Sequence, residues 1–332
     1  MDKAQLTSVE IANLWTQYLN DTMSICVITH LLEHCEDKET IKILETALDL
    51  SNSHVKKIEL FLKKENYPIP EGFSKNDLDL KAPRLFSDNL ILAYMQVMAL
   101  HGMNSYSLCT TTSIRTDQRS YFSTCLSNTS KLYDSIIGLM LDKGILSKPP
   151  NINTPDKVEY VDNQQYLAGW FGKKRPLNAI EVSGLHYNII KTVVKVVLEI
   201  AFSQVTEISE LRGYYQRGAK LCRKQIKDME EMLSNNNLPA PMNWESEITE
   251  STTPPFSEKL MLFHVVTLVS VAIGYYGAAF SVAQRRDLAM KYTKLIGEIG
   301  LYVEDGANLM IKHGWLEKPP MFSDRQALAE KK

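Results

Sequence analysis

The sequence lacks a surplus of charge of either sign. Its 37 Lys and Arg stand against 39 Asp and Glu, a formal net charge of -2. No global field therefore exists to draw nucleic acid or an anionic membrane. Cys-x-x-Cys is absent too. The five cysteines, Cys26, Cys35, Cys109, Cys125 and Cys222, are odd in number, which fits buried thiols in a reducing compartment rather than a disulfide framework. No basic region followed by an apolar run opens the chain, so no signal peptide is expected and a cytoplasmic setting is. A Gly-rich phosphate loop, a Ser–His–Asp signature and a catalytic cysteine context are all missing. These absences weigh against an enzyme.

Charge is also missing from two long stretches, Leu260 to Ala283 and Leu90 to Ser113. The first is long enough for a membrane span. It carries His264, Gly274, Gly277 and two Tyr, and its counterpart carries Gln96, His101 and Asn104. The expectation is a helix buried on most sides of a bundle, with no membrane span.

What is present is one unit used twice. Gly144-Ile145-Leu146-Ser147-Lys148-Pro149-Pro150 is echoed by Gly314-Trp315-Leu316-Glu317-Lys318-Pro319-Pro320. In each, glycine supplies a left-handed turn, leucine folds back and the prolines stop the helix. Asn66-Tyr67-Pro68-Ile69-Pro70 matches Asn237-Leu238-Pro239-Ala240-Pro241, and Phe86-Ser87-Asp88 matches Phe256-Ser257-Glu258, at an offset of 170 or 171. Tandem duplication follows.

Within the unit, Thr7 and Glu10 have capping-box spacing, and Ile11, Leu14, Tyr18, Ile25, Ile28 and Leu32 form an apolar stripe over residues 8–34. A second helix is expected over 38–64, a third over 86–113 and a fourth over 117–143. Residues 65–85, with Pro68, Pro70, Gly72 and Pro83, cannot be helical throughout. About twenty extended residues reach ~60 Å, enough to cross a helix about 40 Å long. The expected fold is all-α: two ferritin-like four-helix bundles, each with a long crossover between helices 2 and 3. The first bundle takes residues 1–150, a linker 151–176, the second bundle 177–320 and a polar tail 321–332. The linker carries Trp170 and Phe171 before Lys173-Lys174-Arg175. Those aromatics either wedge between the bundles or offer a surface to a partner.

One constellation could carry chemistry. Asp21 interrupts the first helix's apolar stripe, and His54 and His101 lie about 15 to 17 residues from the same bundle end, near one level. Converging carboxylate and imidazole could hold iron, manganese or zinc, so Asp21, His54 and His101 are the candidate metal ligands. Against this, Glu-x-x-His occurs nowhere, and in the second copy the three become Thr192, Gln225 and Val271. A hydrogen-bonded polar layer that fixes helix register explains the same residues. His30 and His34 read as a solvated pair, and Glu199 has Lys195 four residues before it as a partner.

The paired phrases, with Ala82-Pro83-Arg84-Leu85-Phe86-Ser87-Asp88, Gln284-Arg285-Arg286-Asp287 and Glu304-Asp305-Gly306-Ala307-Asn308, resemble an uncharacterised family of spore-forming bacteria. Its members are duplicated ferritin-like bundles similar to spore coat protein F. The resemblance implies the fold and a coat-like or cytoplasmic protein, and supplies no catalytic residue. Three readings follow. The leading one is a non-enzymatic structural or interaction protein that associates with itself or with other coat or bundle proteins. A metal-binding or redox bundle and a bundle holding an apolar ligand, which needs a cavity of a few hundred cubic ångströms, are the alternatives.

Overall fold

The computed structural model describes residues 5–169 and 174–330; the wedge expected of Trp170 and Phe171 lies outside them. Helices α1 (Ser8–His34), α2 (Lys38–Lys64), α3 (Asp88–Thr112) and α4 (Thr116–Asp142) form the first bundle. Helices α5 (Ala179–Val205), α6 (Ser209–Ser234), α7 (Glu258–Val282) and α8 (Arg286–Lys312) form the second, and a short α9 (Arg325–Glu330) follows in the tail. The start of α3 lies beside the start of α2, because the Asp88 carboxylate accepts from the Asp37 amide at 3.0 Å. At the opposite end the close of α2 meets the start of α4 through Arg115–Glu65 at 2.6 Å. The chain therefore runs up, down, across the whole bundle, down and up, which is the long crossover expected from its length.

Carboxylates tie the reversals, Glu10 and Glu181 from buried positions. Thr7 and Glu10 form the predicted capping box. Glu10 then reaches past its own helix and accepts from the amides of Ile114 and Arg115, at 2.9 and 2.7 Å, in the α3–α4 reversal. Its counterpart Glu181 accepts from Arg285 at 2.8 Å and is clamped by the Arg175 guanidinium. At the other end Glu258 repeats the part of Asp88, accepting from Glu207.

The repeats join through their crossovers, and the joint has a local twofold. Leu78 pairs with Phe256 and Phe86 with Ile248. Ser87 donates to the Glu247 carbonyl as Ser257 donates to that of Asp77, both at 3.0 Å; Asp79 donates to Pro255 as Thr249 donates to Leu85. Each bond is the other's image at an offset of 170, the signature of an isologous contact between two copies. On the axis, the equivalent residues Tyr94 and His264 are hydrogen-bonded to each other at 3.2 Å.

The repeated glycine phrases close α4 and α8. Gly144 and Gly314 have φ of +68° and +70°. The amides of Ile145 and Trp315 reach back to the carbonyls of Met140 and Met310, completing Schellman caps. Leu146 folds back onto the core as expected. Leu316 does not: it is half exposed, and Trp315 packs instead, stacked on His313 at 4.4 Å. The next residue has a role the sequence did not disclose. The Ser147 hydroxyl accepts from the amide of Met242, and Glu317 accepts from Glu71 and Gly72, so each phrase caps the crossover of the other repeat.

Among the described residues α7 is the one helix long and apolar enough to cross a membrane. Its first half is buried, with Phe263 packed on Phe73 and His264 on Tyr94. Contrary to the expectation of burial on most sides, Gly274, Ala278, Phe280 and Val282 face outward near its end. The small residues Gly274, Gly277 and Ala278 give neighbouring helices little to pack against there. His30 is also not solvated. The crossover of its own repeat covers that side of α1, and its Nε2 meets the Ala82 carbonyl at 3.3 Å.

Glu10 yields a pH test. Burial alone would raise its pKa, but the Arg115, Thr7 and Ile114 amides and the Thr7 hydroxyl hold it below the ordinary Glu value. A carboxyl depressed on folding stabilises above its unfolded pKa, and that contribution is lost as pH falls through the folded value. Glu10→Gln is expected to cost about 1–3 kcal/mol at neutral pH. In urea titrations the gap to the natural chain should close on acidification below the ordinary Glu range.

Candidate functional site

Two of the three residues singled out in the sequence meet. Asp21 on α1 faces His54 on α2, with Oδ2 and Oδ1 at 3.3 and 3.5 Å from Nδ1. Both are buried. The Tyr106 hydroxyl of α3 lies 3.4 Å from the same nitrogen. From α4, Cys125 shares the wall of one groove with the ring and helps to favour its charged form. The Gln17 amide points its Nε2 at the Cys125 sulfur, 4.0 Å away, while its Oε1 accepts from the Tyr121 hydroxyl at 3.1 Å. The rings of Tyr106 and Tyr121 meet His54 edge to face, at 5.6 and 6.2 Å.

His101 is not part of this cluster. Tyr106, five residues further along α3, is the side chain that reaches His54. Five residues turn a helix by roughly 140°, so His101 faces elsewhere. Its ring lies 5.3 Å from Tyr275 of α7. Burial, with Lys191, Lys195 and His264 nearby, holds it down to about 3 and therefore neutral. Among the described residues no three His, Cys, Asp or Glu side chains are arranged to hold a metal ion.

The second bundle builds the same layer from different residues. Asp21, His54 and Tyr106 correspond to Thr192, Gln225 and Tyr276. The Tyr276 hydroxyl lies 3.1 Å from Thr192 Oγ1 and donates to Gln225 Oε1 at 3.0 Å. Opposite the Cys125 position stands Leu295, whose carbonyl accepts from Gln225. One geometry thus carries an ionisable set in the first repeat and a neutral set in the second.

The second bundle adds a cluster of its own. Lys195 and Glu199 are buried, yet no close ion pair joins them. The Lys195 ammonium sits over the Tyr276 ring at 5.6 Å, and the Glu199 carboxyl lies against Tyr302 and Cys222, pushed up to about 8 by burial against the pull of Lys195. Gly218 makes the room: a methyl group there would overlap Tyr302 and Glu199.

Two spaces among the described residues differ in size and exposure. The enclosed cavity at the joint between the repeats, lined by Tyr94, His264 and the phenyl rings of Phe86, Phe202 and Phe256, measures about 10 Å³. That is room for one water, well short of the few hundred cubic ångströms that an apolar ligand needs. An open groove of about 560 Å³ runs between α2 and α4, and His54, Tyr121 and Cys125 line it together with Lys56, Lys57 and Asp117.

Fold and site together define a two-repeat, all-α double bundle with a polar layer in each half. The chain belongs to the family described as "Protein of unknown function (DUF3231)", whose model matches twice, over residues 1–158 and 165–328. A solved structure from Bacillus halodurans, named as a "putative spore coat protein", is similar at 21% identity and a TM-score of 0.42, covering 46% of this chain and 98% of its own. No curated protein matches.

The Asp21–His54 pair predicts a pH dependence of opposite sign to that of Glu10. Burial alone would lower the His54 pKa; the Asp21 carboxylate and the Cys125 thiol outweigh it and push it up to about 10, from 6.5. A histidine raised on folding contributes fully below its unfolded pKa, and the contribution is lost as pH rises through the folded value. Asp21→Asn is expected to cost about 3–5 kcal/mol near pH 6, and less as pH climbs towards 10. The double variant Asp21→Thr with His54→Gln, which copies the second repeat, should cost less than Asp21→Asn alone in chemical denaturation.

Proposed function

We propose that the chain is a non-enzymatic structural or interaction protein, spore-associated, which assembles with itself or with other coat or bundle proteins. The observation that carries this reading is the equivalence of the two polar layers. The Thr192–Gln225–Tyr276 set has no carboxylate, imidazole or thiol, yet it occupies the positions of Asp21–His54–Tyr106, so the role common to both is to fix helix register. The packed joint between the repeats supports a rigid body that acts through its outside. Apolar side chains are available there: Tyr160 in the linker and Phe322 in the tail are 93% and 87% exposed. Spore association rests on the resemblance carried by the repeated phrases.

Two measurements test the proposal. Protein purified without an affinity tag is expected to carry far less than one metal ion per chain. Light scattering is expected to show assembly that weakens in a Tyr160→Ser, Phe322→Ser double variant. Stoichiometric iron, manganese or zinc, lost on His54→Ala, would sink the structural reading in favour of a metal-binding bundle.

A further inference from the structure

We propose that Cys125 is a peroxide-reactive thiol, activated by His54 and Asp21 and reached through the α2–α4 groove. Side chains from three helices surround its sulfur. His54 from α2 lines the same groove wall, and Asp21 from α1 orients that ring at 3.3 Å. Gln17 from α1 directs an amide at the sulfur from 4.0 Å, and Tyr121 from α4 holds the Gln17 carbonyl. An imidazolium beside a thiol favours the thiolate, the nucleophilic form. The carboxylate behind the ring keeps the imidazole charged and aimed, the division of labour found wherever a base is held by a third group. Asp21 Oδ2 is buried without a well-formed hydrogen bond of its own, so its charge is compensated chiefly by His54.

The opening limits the substrate. Cys125 is 2% exposed, but it and His54 both line the groove wall. A small electrophile such as hydrogen peroxide or a short hydroperoxide can reach a sulfur just beneath that wall; a protein disulfide cannot. The thiolate attacks one peroxide oxygen, the S–O bond forms and the O–O bond breaks. The departing hydroxide takes a proton from the His54 imidazolium and leaves as water. Sulfur is oxidised to the sulfenic acid, peroxide is reduced, and His54 ends neutral. The second repeat has Leu295, Gln225 and Thr192 at these positions, so the chemistry belongs to the first repeat alone.

The test is dimedone trapping on the reduced full-length protein exposed to hydrogen peroxide at neutral pH, with each cysteine peptide quantified by mass spectrometry. Cys109 is the internal control: it is more exposed than Cys125, but burial pushes its thiol up to about 12. The expected result is an adduct at Cys125 forming about tenfold or more faster than at Cys109. It should fall by about the same factor in the Asp21→Thr, His54→Gln double variant, whose folding is checked by circular dichroism and whose side chains the second repeat already packs. His54→Gln alone, which leaves Asp21 in place, serves should the double variant misfold. Faster labelling at Cys109, absence of an adduct at Cys125 in the native protein, or equal labelling of natural and variant chains would each overturn the proposal.

Discussion

The structure depends on an exchange of backbone hydrogen bonds between its two crossovers. A four-helix bundle with a long crossover leaves some twenty residues of irregular backbone on its flank, whose amides and carbonyls need partners. Here each crossover finds them in its twin: Asp77 with Ser257, Asp79 with Pro255, Leu85 with Thr249 and Ser87 with Glu247. Ser147 and Glu317 then cap the loop of the opposite repeat. The crossover that makes each bundle possible is also the surface that needs the other bundle. The duplication is therefore structural as well as historical, since neither half satisfies the whole of its loop alone.

Joining the halves in one chain relaxes a constraint that two identical subunits would face. On the axis of an isologous dimer a residue meets itself. Tyr94 and His264 hold that position, and as different residues they make a hydrogen bond that would be harder to form between two identical side chains. The seam beside them has diverged further. Lys191 is buried between the faces of Tyr187 and Tyr275, at 3.6 and 3.3 Å, while Asn104 of the first repeat hydrogen-bonds Tyr187. Burial and Lys195 depress the Lys191 pKa to about 5, and the two ring faces act in the opposite sense by attracting its charged form. The corresponding positions in the first repeat are Asn20, Thr16 and Ser105, so nothing of this kind balances it across the axis.

The same freedom explains the two polar layers. A buried ion pair is seldom a net gain over a neutral arrangement of the same shape, and the second repeat shows that Thr, Gln and Tyr fill these positions with satisfied hydrogen bonds. Register alone therefore does not require Asp21 and His54. Their extra property is charge held next to a thiol at the wall of a groove, and that property sets the first layer apart from the second.

The sequence made the scaffold legible because its signals are local. Capping boxes, glycine stops and proline-bearing crossovers act within a few residues of where they stand, and the two copies confirm each other; the helices begin and end within about two residues of their expected places. The site was only half legible because it depends on how each helix is turned about its own axis. Level along the bundle placed Asp21, His54 and His101 together, but the rotation of α3 presents Tyr106 to His54 and turns His101 to the second repeat. Cys125 and Gln17 occupy ordinary core-facing positions of α4 and α1, so helical periodicity does not set them apart as a site. A usable signal did exist in comparing the copies. Tyr106 and Tyr276 are the same residue at equivalent positions, while the partners around them change from Asp and His to Thr and Gln. A polar residue kept in both repeats marks the point about which the layer is built, and the exchanged residues around it show where the two halves part in chemistry.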